Sequence, residues 1–141
     1  MAVKDLTRRR LLSIVGTRPE AIKIAPLALA ATGRGMIEHE LLATGQHDLL
    51  FDEAPAGFGL TADHRLAPVA RDPLPDVMLE RLTHALLSVL PAIDPDLLIV
   101  QGDTNSALAG ALAASAARTF DRPCRGRPAL SRHRVPLARR A

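Results

Sequence analysis

The chain has 141 residues, 48% of them hydrophobic and 23% charged; it is long enough to bury a core and too apolar to stay unfolded as a whole. A single cysteine, Cys124, excludes an internal disulfide framework, and an aromatic content of 2% argues against a protein that stacks nucleic-acid bases on rings. The net charge of +3 averages two unlike parts: residues 1–117 hold 10 Lys/Arg against 14 Asp/Glu, a net −4, and residues 118–141 hold 8 Arg against 1 Asp, a net +7.

The opening Thr7-Arg8-Arg9-Arg10-Leu11-Leu12 has the outline of a twin-arginine export signal. Its apolar run is cut short at Arg18 and Glu20, and no small-residue cleavage site follows. No run is long enough to span a bilayer, so the expectation is a cytoplasmic chain with no membrane partner. Residues 11–15 read as a short buried strand ending at Gly16. Thr17 then caps a helix with Pro19 in its first turn, Glu20 near its positive end, and apolar positions Ile22, Ala25, Leu27 and Leu29. Pro26 predicts a kink or an early break in that helix, and Gly33 and Gly35 close it.

Residues 39–44 form the second strand candidate, with Gly45-Gln46-His47 as a loop beyond its carboxyl end. A short helix is expected over 48–52, and the glycines and prolines of 55–75 read as a long connection. Val77, Leu79, Leu82, Leu86, Leu87 and Leu90 trace a helix that stops at Pro91. Residues 96–101 are the clearest buried strand, and Gly102-Asp103-Thr104 turns the chain into a small-residue helix over 105–118. Strand and helix alternate three times, which predicts an α/β fold with a Rossmann-like parallel sheet and flanking helices.

In such a sheet, ligands bind outside the carboxyl ends of the strands, where a helix N-terminus favours phosphate oxygens. Gly16-Thr17-Arg18-Pro19-Glu20 lies at one such end; Arg18 is placed to clamp a phosphate, with Lys23 a second positive charge one turn onward. The plainer reading is that Arg18 pairs with Glu20 or with solvent. The spaced glycines of a dinucleotide fingerprint are absent. Asp103 lies at another strand end, either as a base or ligand-binding carboxylate or simply as the cap of the next helix. His47 is catalytic or an ordinary surface histidine. His39, His64, His84 and His133 show no metal-ligand spacing with one another or with Cys124, so no metal is expected.

Three blocks together carry a resemblance: Gly16-Thr17-Arg18-Pro19-Glu20-Ala21-Ile22-Lys23-Ile24-Ala25-Pro26-Leu27, then Thr44-Gly45-Gln46-His47, then residues 95–104, Pro-Asp-Leu-Leu-Ile-Val-Gln-Gly-Asp-Thr. In order, approximate spacing and strand-end placement they resemble the non-hydrolysing UDP-N-acetylglucosamine 2-epimerases, over about residues 11–118. The resemblance implies two Rossmann-like domains in the glycosyltransferase-B arrangement, of which residues 1–118 supply the front part of the first. It implies a reaction in which the nucleotide-sugar loses UDP across C1 and C2 and takes it back with inverted configuration at C2. It also implies a cytoplasmic homodimer with UDP-N-acetylglucosamine as substrate and no cofactor. By position, Arg18 and Lys23 match the family's nucleotide-binding cations, Asp103 its first active-site acid, and Gly16, Thr17, Gln46 and His47 lie in its substrate-binding blocks. The family's further acids, in a His-Val-Glu-Ala-Gly-Leu-Arg motif and a later Pro-Glu-Glu, have no counterpart here. A glycosyltransferase of the same architecture would share the layout; a nucleic-acid-binding module would use the arginine-rich tail, which has neither aromatic partners nor a periodic face, so no nucleic-acid partner is expected.

Residues 119–141 depart from the family and read as an out-of-frame, non-native tail. Joining the last two bases of each codon to the first base of the next lets Pro123 through Ser131 encode His-Val-Glu-Ala-Gly-Leu-Arg-Ser. The same shift lets Val135 through Arg140 encode Ser-Pro-Trp-Pro-Asp-Glu, close to the family's Pro-Trp-Pro-Glu-Glu. A frameshift near residues 119–122 is therefore expected, with the lost glutamate where Arg125 and Gly126 now stand, and activity of the 141-residue chain alone is doubtful.

Overall fold

The computed structural model describes residues 8–33, 35–45, 57–67, 69 and 73–117. Along the chain these form β1 (Arg9–Val15), α1 (Arg18–Thr32), β2 (Ile37–Ala43), β3 (His64–Arg65), α2 (Pro75–Ile93), β4 (Leu97–Val100) and α3 (Asn105–Ala116). The sheet has the order β3-β2-β1-β4, and every pairing is parallel. β1 is therefore an inner strand, with Ser13 opposite Leu41 of β2 on one side and Ile99 of β4 on the other.

Side chains alternate across a strand, so each strand feeds two cores. Leu12 and Ile14 of β1, with Leu42 and Leu98, meet Leu82, Leu86 and Leu90 of α2 and Ala109 and Ala113 of α3. On the opposite face Val15, Leu41 and Ala43 meet Ala21 and Ile24 of α1. Burial on both faces is why residues 11–15 of β1 are apolar except for Ser13. The α/β alternation and parallel sheet expected from sequence are present, with α1 on one face and α2 and α3 on the other.

Four local expectations are corrected. α1 runs through Pro26 without a break; the proline withholds one N–H from the carbonyl of Ile22, a residue on the solvent side where water can take its place. The buried apolar positions of α1 are Ala21, Ile24, Ala25, Ala28 and Ala31, whereas Ile22, Leu27 and Leu29 are substantially exposed. α2 continues past Pro91 to Ile93 and ends at Asp94, whose backbone is left-handed at φ 49°. The connection over 55–75 contains β3, which extends the sheet beyond β2. The helix expected over 48–52 and the tail over 119–141 lie outside the described residues.

Polar side chains tie the amino end of the sheet. The Arg10 guanidinium meets Glu40 at 2.8 Å and donates to the carbonyl of Ile93 at the end of α2, while the other Glu40 oxygen pairs with His64. Arg10 and Asp96 exchange two hydrogen bonds, Arg10 N–H to Asp96 Oδ2 and Asp96 N–H to the Arg10 carbonyl, each 2.9 Å. On the α1 face, His39 Nε2 lies 3.0 Å from the hydroxyl of fully buried Ser13. Burial holds the His39 pKa below the ordinary histidine value, against the opposing pull of the Asp63 and Glu40 carboxylates.

Candidate functional site

Neighbouring strands β1 and β4 send their chains to opposite faces of the sheet, β1 to α1 and β4 to α3. That divergence opens a crevice at their carboxyl ends, the place where open parallel sheets bind ligands. The first wall is Gly16-Thr17-Arg18, and the second is Gly102-Asp103-Thr104.

Gly16 is buried against two hydroxyls. A Cβ built on it would lie 2.0 Å from Ser106 Oγ and 2.6 Å from Thr44 Oγ1, so the residue must be glycine for steric reasons. Those two hydroxyls are 2.7 Å apart and almost fully buried, joining the end of β2 to the start of α3 beneath the crevice floor. Thr44, expected at the end of the second strand, lies just beyond β2 and donates its N–H to the Val15 carbonyl at 2.9 Å.

Between the two walls lies Glu20, only 3% exposed. Its Oε2 accepts the N–H of Gly16 at 2.7 Å and of Thr17 at 3.1 Å, and its Oε1 accepts the Thr104 hydroxyl. The Thr17-x-x-Glu20 spacing of a capping box accounts for the bond to Thr17 and was available from sequence; the bond to Thr104, a residue 84 positions away, had no sequence signal. Gly102 completes this packing. Its φ of +100° is left-handed, and a Cβ there would stand 3.2 Å from Glu20 Oε1.

This arrangement revises two readings. Glu20 does not pair with Arg18, because residues two apart on a helix point to opposite sides. The N–H groups of Gly16 and Thr17 are not free to hold phosphate, because Glu20 already occupies them. Arg18 is exposed in the first turn of α1, and Lys23 is exposed on the flank that carries Glu20, three positions on. Neither makes an ion pair with a described residue. Thr104 accepts the N–H of Ala107 at 3.3 Å and so caps α3. That settles the cap as Thr104 and leaves Asp103 exposed beside it, free of capping duty. Gln101, at the end of β4, carries an amide oxygen that is buried without a hydrogen-bond partner among the described residues. Gln46 and His47 lie outside the described residues. Among the described residues no group of three His, Cys, Asp or Glu side chains is disposed to hold a metal ion, and no helix is long and apolar enough to cross a membrane.

Arg18 in the first turn of α1, Lys23 one turn on, and Asp103 after β4 are all exposed near the carboxyl ends of neighbouring strands. Comparison with known proteins identifies the family and the fold. The sequence model of a family described as UDP-N-acetylglucosamine 2-epimerase matches residues 29–119. The UDP-N-acetylglucosamine 2-epimerase of Escherichia coli K12 is 33% identical over 105 residues, covering 74% of this chain and 28% of the relative; that of Campylobacter jejuni is 35% identical over 107 residues, covering 75% and 28%. Among solved structures, the Neisseria meningitidis UDP-GlcNAc 2-epimerase bound to UDP-GlcNAc superposes with a TM-score of 0.73 at 31% identity, covering 78% of this chain and 30% of that one. The Methanocaldococcus jannaschii enzyme in complex with UDP-GlcNAc and UDP gives 0.61 at 32% identity, covering 78% and 30%. The chain thus spans less than a third of the length of the relatives it matches.

Proposed function

Because the chain belongs to the UDP-N-acetylglucosamine 2-epimerase family, we propose that its crevice takes the diphosphate-sugar of UDP-N-acetylglucosamine and serves the non-hydrolysing interconversion with UDP-N-acetylmannosamine. The observation that carries this reading is the placement of exposed Arg18, in the first turn of α1, and exposed Asp103, after β4, beside the two chain segments that Glu20 joins. Relatives bound to UDP-GlcNAc support the choice of ligand.

In this reading Arg18 and Lys23 hold the diphosphate. Their charge stabilises the negative charge that grows on it as the C1–O bond breaks. Asp103 takes part in proton transfer at C2, removing or returning the proton as UDP leaves and re-adds. The buried amide oxygen of Gln101 supplies an acceptor for a donor on the ligand. The intact enzyme is a cytoplasmic homodimer with the substrate between two Rossmann-like domains, and residues 1–118 form the front of the first. Residues 119–141 are out of frame, a reading supported by the end of the family match at residue 119 and by the abrupt change of charge there.

Sequencing the gene tests the frame: bases that forbid the shifted codons would refute it. With the frame restored and the remaining domain present, incubation with UDP-N-acetylglucosamine in heavy water is expected to give UDP-N-acetylmannosamine carrying deuterium at C2, visible by proton NMR. Asp103→Asn is expected to slow turnover by about a hundredfold or more. Substrate returned with its C2 proton intact overturns the reading.

A further inference from the structure

We propose that Glu20 is a positioning residue whose buried carboxylate staples the loop after β1 to the loop after β4, holding the cation of one wall in register with the acid of the other. The proposal rests on the crevice being the diphosphate-sugar site. Helix capping alone does not explain this glutamate. A capping box asks only one bond of the glutamate, to the Thr17 N–H. Here one oxygen takes two backbone donors and the other takes a hydroxyl from a loop 84 positions away. The carboxylate is 3% exposed, and the second loop is moulded on it through the left-handed Gly102.

The staple is placed where the sheet no longer holds the two walls together. The β1–β4 ladder ends at the pair Ile14 and Val100, and beyond it the chains leave for opposite faces. Charge-assisted hydrogen bonds to a buried carboxylate are stronger and more directional than neutral ones. A rigid crevice matters for chemistry because a small displacement of a binding group costs heavily in the bound and reacting geometry.

The test compares the full chain with Glu20→Ala, Glu20→Gln, Thr104→Val and the Glu20→Ala/Thr104→Val double variant, by amide hydrogen exchange and by titration with UDP. In Glu20→Ala, protection is expected to fall about tenfold or more at Gly16 and Thr17 and, in the same variant, at residues 102–107, with the amides of Leu12 and Ile14 unchanged. UDP affinity is expected to fall about tenfold in Glu20→Ala and in Thr104→Val, with no further loss in the double variant, since both cut one connection. Glu20→Gln keeps an acceptor for the two N–H groups and a donor for the Thr104 hydroxyl, and is expected to recover most of both properties. If Glu20→Ala loosens only Gly16 and Thr17 and leaves the second loop and UDP affinity as in the wild type, Glu20 is a cap and the proposal fails. If Glu20→Ala does not fold, Thr104→Val, which keeps the α1 cap but also loses the α3 cap to Ala107, is read at Gly16 and Thr17: a fall in protection there supports the staple, and no change refutes it. The UDP titration is made on the frame-restored protein with its remaining domain; if that protein binds no UDP the nucleotide reading fails, while exchange at the two loops still decides whether the staple exists.

Discussion

A methyl group on Gly16 has nowhere to go. It would meet the hydroxyls of Ser106 and Thr44 well inside van der Waals contact, and both belong to a buried hydrogen-bonded pair with no slack. Gly16→Ala is therefore expected to lower stability by about 1–3 kcal/mol in urea unfolding. Gly33→Ala is the control: Gly33 has helical dihedrals, φ −70°, and a Cβ there has no neighbour closer than 3.7 Å, so that change is expected to be neutral or stabilising by up to about 1 kcal/mol. A larger loss at Gly33 than at Gly16 would contradict this account. His39 makes a different residue-scale prediction. Burial lowers its folded pKa below 6.5, so between the two values the unfolded chain binds more protons than the folded one. Its contribution to stability is full above the unfolded value and is lost as pH falls towards the folded value. The urea midpoint is expected to drop on acidification from about pH 7 to about pH 5, and His39→Asn is expected to flatten that slope. Equal slopes in the two proteins would rule His39 out as the source.

At the scale of elements, Pro26 leaves the Ile22 carbonyl without its helical partner in α1. Pro26→Ala restores the bond on an exposed face and is expected to raise stability by about 1–2 kcal/mol, read as a higher urea midpoint. The longer elements were legible from plain physical signatures, such as two-sided burial in β1, a wide leucine stripe in α2 and the Thr17 cap position; β4, expected as the clearest buried strand, buries only Leu98 and leaves Leu97 half exposed. β3 was illegible for the converse reason. His64 and Arg65 have no apolar pattern and join the sheet only because Leu42 and Ala43 offer an open edge. The inward face of α1 was misread because its buried apolar stripe is alanine except for Ile24, while Ile22, Leu27 and Leu29 point outward. Both prolines suggested interruptions that tertiary packing overrides.

At the scale of the whole molecule, the strand order turns a list of motifs into a place. Arg18 and Asp103 are far apart in sequence, and only the adjacency of β1 and β4 brings their loops to one crevice. The strand-end positions of both residues followed from periodicity. The role of Glu20 did not, because its partner is chosen by topology rather than by spacing. The same adjacency shapes the route by which the chain folds. β1 meets β2 across one short helix, whereas its contact with β4 closes a separation of 86 residues, as between Arg10 and Asp96. Nearby pairings cost less loop entropy and form sooner, so the β1–α1–β2 unit is expected to be structured in the transition state and the β4 contacts to form after it. Leu41→Ala is then expected to slow folding in stopped-flow measurements, whereas Asp96→Ala leaves the folding rate unchanged and speeds unfolding about fivefold. The reverse pattern would place the long-range contact first. The first strand of the sheet in chain order is thus among the last to have both its edges filled.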